Sequence, residues 1–208
     1  MPSSPAQQDV NQFVLAAGNG HLADATVFLD QYPAFINAVN FSGVTALAMA
    51  ATRGQTKMAE LLLERGAQVD KRDEKGMTPL MFAVLNGCTK TAKALLDKGS
   101  AIDAKDYTGR TILMQAAQAG LADSVKFLLE KGADVEWVDD NDQTAEMVAR
   151  WAGHNEIAEL IDGWSILPSR EGGKTQPAET PALDLAAERL EKLKSQRPRQ
   201  PPFKKNQP

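Results

Sequence analysis

The stretch Asp73-Glu-Lys-Gly-Met-Thr-Pro-Leu-Met-Phe-Ala-Val-Leu-Asn-Gly87 contains the pattern that decides the fold of this chain. In steps of 33 residues, the same residue types return on both sides of it. Four columns recur at this spacing: Gly43, Gly76 and Gly109; Thr45, Thr78, Thr111 and Thr144; Gly54, Gly87, Gly120 and Gly153; and Gly66, Gly99 and Gly132. A fixed period of this length is typical of proteins that stack one small structural unit several times.

Each unit has the local signals of a turn followed by two helices. An Asn or Asp three residues before the first glycine, as in Asp73 and Gly76, predicts a tight turn with a positive φ at the glycine. The threonine two residues later begins a short helix, and the next glycine ends it. Apolar residues at i, i+3 and i+4 then predict a second helix with one buried face. The sequence therefore predicts an all-α solenoid of about five 33-residue helix-turn-helix units with short hairpin loops.

The motifs of these units resemble those of the ankyrin repeat family over roughly residues 9–164. The resemblance rests on Thr78-Pro-Leu-Met-Phe-Ala83, Gly66-Ala-Gln-Val-Asp70, Gly132-Ala-Asp-Val135 and Gly153-His-Asn-Glu-Ile157. It implies a protein-binding module without catalytic activity. One position departs from the family: its motif histidine is replaced by Ala48, Met81, Met114 and Met147. We expect apolar packing there in place of the polar network usual in the family.

The repeat region is expected to be flanked by two less regular segments. We predict a flexible N-terminus over residues 1–8 and units at about 9–39, 40–72, 73–105, 106–138 and 139–164. The first and last units should act as caps, because Pro33 makes the first irregular, and Glu146 and Asp162 replace core leucines in the last. Trp164, Ile166 and Leu167 are candidates to fold back over the exposed end.

Residues 165–208 form a Pro-rich basic tail that we expect to be mostly disordered, with a short helix at 181–195. Its net charge is +4, whereas residues 1–164 carry −8. Six basic residues occur from position 192 onward with no acidic residue among them: Lys192, Lys194, Arg197, Arg199, Lys204 and Lys205. A solubilising disordered end is the preferred interpretation. Contact with nucleic acid or an acidic membrane is an alternative, and a fold back onto the acidic hairpin around Asp139 and Asp140 is a third.

No group of residues in the sequence predicts an enzyme, a cofactor or a metal site. His21, Cys88 and His154 occupy one column of the repeat, directly after a turn glycine, which favours a structural role. The acidic residues between 134 and 146 lack the spacing of a calcium loop. No apolar run of about 18 residues and no signal peptide is present, so we expect a cytoplasmic protein, with the nucleus as the alternative.

The residues that vary between units nominate a binding surface, since repeat proteins commonly vary the concave face while keeping the framework. The partner-binding candidates lie at hairpin tips, after the turn glycines and at the ends of first helices: Phe41, Met77, Leu85, Tyr107, Arg110, Gln118 and Trp151. Aromatic, Met and Arg side chains are enriched where proteins bind each other. We therefore predict a monomeric scaffold, adaptor or inhibitor whose partner is another protein. The alternative is a nucleic-acid-associated or membrane-associated regulatory factor that uses the basic tail.

Overall fold

The computed structural model describes residues 5–165, and Ser165 by its backbone only. Within this range ten α-helices form five successive pairs: α1 (Gln7–Asn19) and α2 (Leu22–Gln31), α3 (Ala46–Thr52) and α4 (Thr56–Glu64), α5 (Pro79–Leu85) and α6 (Thr89–Asp97), α7 (Ile112–Gln118) and α8 (Ala122–Glu130), α9 (Ala145–Trp151) and α10 (Asn155–Ser165). A 3-10 turn at Pro33–Phe35 follows α2. No β-strand occurs among these residues, so the prediction of an all-α solenoid of helix pairs is confirmed.

The first helices of the five pairs pack on one another in chain order, α1 on α3, α3 on α5, α5 on α7 and α7 on α9. A threonine begins each helix of this row after α1, and its hydroxyl accepts a backbone N–H three residues on, at 3.2 to 3.4 Å. Such a cap contributes about 1 kcal/mol to stability. The recurring threonines are therefore helix N-caps, as the sequence predicts.

The position of the missing motif histidine is apolar core in the inner units. Ala48, Met81 and Met114 are each no more than 2% exposed, so apolar packing replaces the polar network there. Met147 differs, with 51% exposure, because α9 is the last helix of its row among the described residues. The expected packing is thus present in three units and incomplete in the last.

A second recurring contact joins neighbouring units in the loops that follow their second helices. One side-chain oxygen of Asn37, Asp70 and Asp103 accepts the backbone N–H found 31 residues later, at 2.8, 3.0 and 3.0 Å. Burial and the nearby Asp134 carboxylate raise the pKa of Asp103, against the N–H bond that lowers it. The equivalent residue 33 positions after Asp103 is Glu136. This series of hydrogen bonds between units ends there.

The N-terminal prediction needs one correction, because α1 begins at Gln7, inside the segment predicted to be flexible. The Gln7 side chain donates a hydrogen bond to the carbonyl of Val39 at 2.9 Å, and Asp9 accepts the backbone N–H of Ala6 at 2.9 Å. These two contacts hold the start of α1. At the other end, the Trp164 side chain is half-buried against the core. Ile166, Leu167, the predicted helix 181–195 and the basic tail lie outside the described residues.

Candidate partner-binding groove

Four hairpin tips project from the row of first helices, and one side-chain oxygen organises each tip. The first side-chain oxygen of Asn40, Asp73, Asp106 and Asp139 accepts two backbone N–H groups, two and four residues on, at 2.8 to 3.1 Å. This arrangement closes a tight turn without a sheet ladder. The variable tip residues are therefore carried on a rigid, repeated support.

A groove of about 510 Å³ runs between the second and third of these tips, next to α5 and α7. Ten residues line it: Glu74, Lys75, Met77, Leu85, Asp106, Tyr107, Thr108, Arg110, Gln115 and Gln118. Five of the seven predicted binding residues are among them, namely Met77, Leu85, Tyr107, Arg110 and Gln118. The structure thus brings most of the predicted surface into one concave site.

The two hairpins that form the walls are in direct contact. The backbone N–H of Tyr107 donates to the carbonyl of Lys75 at 3.2 Å. Gly76 permits this approach, since its φ is +80° and a Cβ at this position would lie 2.7 Å from the Tyr107 nitrogen. The Tyr107 side chain remains 64% exposed, while Met77 and Leu85 are half-buried. The groove therefore offers one exposed aromatic side chain beside a shallow apolar surface.

Arg110 holds the polar wall of the groove together. Its Nε donates to Asp139 at 3.1 Å, and its Nη1 donates to Gln118 at 2.8 Å. Beside it, Gln115 donates to the second oxygen of Asp106 at 2.7 Å. Two of the guanidinium nitrogens are thus engaged within the protein, so Arg110 positions Gln118 and links the third and fourth hairpins.

Asp139 is the buried partner in this pair, with a fully buried side chain. Burial by itself would raise the pKa of its carboxyl group. The backbone N–H groups of Gln143 and Asn141 and the Arg110 guanidinium outweigh burial and lower the pKa. The carboxylate therefore stays ionised in the folded protein, where it anchors both its own hairpin and Arg110.

The remaining two predicted residues, Phe41 and Trp151, do not line the groove. Phe41 is 80% exposed at the first tip, where its backbone N–H donates to Asn11 at 3.1 Å. Trp151 is 79% exposed at the end of α9. Gln115 also lines the groove and was not among the predicted residues. Its signal is weak, because the equivalent positions are apolar in the other units, and only the fourth unit has an amide there.

The histidine and cysteine column has a structural role in the stack. Cys88 and His154 pack against the turn glycine of the preceding unit, so that a Cβ on Gly54 or Gly120 would meet them at 2.9 and 2.7 Å. Burial raises the pKa of the Cys88 thiol, which disfavours the nucleophilic thiolate. Within residues 5–165, no three His, Cys, Asp or Glu side chains are grouped as metal ligands. In the same range no helix has the length and apolar character to cross a bilayer.

Helix pairs stacked at a fixed period, with a groove between adjacent hairpins, define an all-α repeat protein. The family described as ankyrin repeats (3 copies) matches residues 13–106 and 100–163. The chain therefore belongs to the ankyrin repeat family, whose domains are generally protein-protein interaction modules and typically non-catalytic.

Similarity to curated proteins is confined to a short segment. Over 63 residues the chain is 38% identical to the NAD-capped RNA hydrolase NUDT12 of Macaca fascicularis and 36% identical to that of Pongo abelii. The aligned segment covers 30% of this chain and 14% of the length of each relative. The hydrolase activity in these names is therefore a property of those proteins and is not carried over to this chain.

Proposed function

We propose that this protein is a non-catalytic adaptor or inhibitor that binds a partner protein in the groove between its second and third hairpin tips. The observation that carries this proposal is the convergence of Met77, Leu85 and Tyr107 on one concave site. An exposed aromatic ring beside a half-buried apolar surface is the arrangement in which protein-binding hot spots form. We place the protein in the cytoplasm, as a monomer.

The polar rim gives the groove a defined chemistry. Glu74 and Lys75 are exposed on one side, and the Arg110 and Gln118 pair forms the other. A rim of this kind excludes water from an apolar centre and selects the orientation of the partner. The groove therefore suits a peptide segment that inserts one or two apolar side chains and hydrogen-bonds at its edges.

Affinity capture with matched variants tests the proposal. The proteins retained by the full chain are compared with those retained by Tyr107→Ala and by Val27→Ala, a control at a residue that is 66% exposed on α2. We expect Tyr107→Ala to lose a partner that Val27→Ala keeps, because only Tyr107 contributes to the groove. Both melting temperatures should stay close to that of the original protein. A set of retained proteins unchanged by Tyr107→Ala would contradict the proposal.

The alternative hypothesis of nucleic-acid or membrane association rests on Lys192 and the basic residues after it, which lie outside the described part of the chain. No observation on residues 5–165 favours it. Charge-reversal variants of the tail in the same capture experiment would support it if they abolished partner binding while Tyr107→Ala did not.

A further inference from the structure

The last helix of the inner row has an uncovered face. Four positions of α9, Glu146, Met147, Arg150 and Trp151, form what we call the end face. The first three occupy columns that are fully buried in the inner units, as Leu80, Met81 and Val84 are in α5. In α9, Met147 is 51% exposed and Trp151 is 79% exposed.

Only two of the four residues on the end face, Glu146 and Arg150, are polar. Glu146 and Arg150 form an ion pair at 2.5 Å, with side chains 25% and 48% exposed. Met147 and Trp151, four residues apart on the same helix, keep an apolar surface beside that pair. A terminal unit that simply ends a stack is expected to be polar across its outer face. The end face therefore has the composition of a surface that another segment covers.

The chain leaves the described structure from α10, the helix that packs against α9. This helix ends at Ser165. The 15 residues 166–180 can reach about 50 Å when extended. They connect to 181–195, where Leu183, Leu190 and Leu193 fall on one side of the predicted helix. A helix of this length with so narrow an apolar stripe is marginal in isolation and gains stability from a surface on which to pack.

The net negative charge of the described chain is concentrated in the last unit, and the net positive charge of the sequence is concentrated in the tail. Residues 1–131 have 13 acidic and 13 basic residues, so their net charge is zero. Residues 132–165 have nine acidic residues and one basic residue, a net charge of −8, whereas residues 192–208 carry +6. A second copy of the protein would present the same strongly acidic unit, so pairing between two end faces is opposed by repulsion.

We propose that residues 181–205 of this chain dock on its own end face. The leucine stripe packs on Met147 and Trp151, and the basic residues from Lys192 to Lys205 lie against the acidic surface of the same unit. The short connection keeps the effective concentration of the tail near the millimolar range, so weak contacts are sufficient for docking. The tail is thus a releasable cap that closes the stack.

The exposure of Trp151 to a collisional quencher tests this proposal in the full chain. Trp137→Phe and Trp164→Phe leave Trp151 as the single tryptophan. Acrylamide quenching is then measured with the original tail, with Leu190→Asp, and with the pair Lys192→Glu and Lys194→Glu. Because docking covers one face of the indole, we expect quenching with the original tail to be about half of that in either tail variant. About 1 M salt should release much of the protection, since the Debye length falls to about 3 Å.

The matched control reverses two charges elsewhere, with Lys90→Glu and Lys93→Glu on α6, both exposed. It should leave the quenching of Trp151 unchanged. Equal quenching in all tail variants would overturn the proposal, as would protection that grows with protein concentration, which would assign the face to a second copy.

A second measurement does not depend on the tryptophan substitutions. Carbodiimide cross-linking of the original protein joins lysines to carboxylates that are in contact. We expect links within one monomer from Lys192, Lys194 or Lys204 to acidic residues between 132 and 165. Links from these lysines spread evenly over the acidic residues of all units would overturn the proposal.

Discussion

Arg110 offers the sharpest test of how the groove is held together. Replacing it with Met keeps an unbranched stem but removes the guanidinium that binds Asp139 at 3.1 Å and Gln118 at 2.8 Å. Removing one partner of a buried ion pair typically lowers the free energy of unfolding by about 3–5 kcal/mol. Two backbone N–H groups still bind the Asp139 carboxylate, and the Arg110 side chain is 26% exposed, so the cost should be nearer 2 kcal/mol.

The assay follows two signals during urea unfolding. All three tryptophans, Trp137, Trp151 and Trp164, lie in or next to the last unit, so fluorescence reports that unit, while circular dichroism reports every helix. In a stack with nearest-neighbour coupling, loss of the contact between the third and fourth hairpins should destabilise the last unit first. We expect the fluorescence midpoint of Arg110→Met to fall further than the circular dichroism midpoint. The expected loss of about 2 kcal/mol in the free energy of unfolding corresponds to a melting temperature of Arg110→Met that is about 4–8 °C lower.

The pH dependence has a defined sign. The lowered pKa of Asp139 means that its contribution to stability is complete above the unfolded-state value and is lost as pH falls through the folded-state pKa. Arg110→Met raises that folded-state pKa. The stability difference between the two proteins should therefore be largest near neutral pH and should shrink as the solution is acidified.

The control removes a second arginine from the same end of the stack. Arg150→Met breaks an exposed ion pair with Glu146, four residues away on α9, and should cost only about 0.3–0.5 kcal/mol. A loss for Arg110→Met that is no larger than this, or one that is equal at neutral and acidic pH, would refute the assignment of Asp139 as its buried partner.

Four further substitutions test the backbone geometry and the hydrogen bonds between units by urea denaturation. Gly76→Ala should cost more than Gly99→Ala: both glycines have positive φ, but only at Gly76 would a Cβ meet the backbone of Tyr107. The left-handed conformation alone costs about 1–2 kcal/mol, which is the expected effect at Gly99. Asp142→Gly should stabilise the protein by about 0.5 kcal/mol, because Asp142 has a φ of +57° where the other units have glycine; a lower midpoint would show that its side chain matters more than its backbone strain. Asp103→Asn keeps an acceptor for the N–H of the next unit and removes a carboxylate whose pKa is raised, so it should be neutral or stabilising near pH 7, with any gain fading in acid.

Much of the candidate groove was predictable because residues of different units can be aligned by the 33-residue period. Residues at equal offsets from the turn glycines occupy equivalent places, so Met77 and Arg110, 33 residues apart, were expected on the same face. Both line the groove, together with Leu85, Tyr107 and Gln118. Phe41 and Trp151 belong to the same columns but to other units, and the groove spans only two hairpins. Column membership therefore predicts the face but not the extent of the site.

The sequence by itself determined the period, the threonine caps and the turn glycines, because each depends on backbone geometry within a few residues and recurs in every unit. Only the tertiary structure decided which polar groups meet between units. The Asp139 carboxylate binds Arg110 from the preceding hairpin, whereas the second oxygen of Asp106 binds Gln115 on α7 of its own unit. The tertiary structure also decided that Met147 is exposed while Met81 and Met114 are buried. These outcomes depend on which side chains meet across the interface between adjacent units. The stacking of the units decides those contacts, and a pattern within one short stretch of sequence does not predict them.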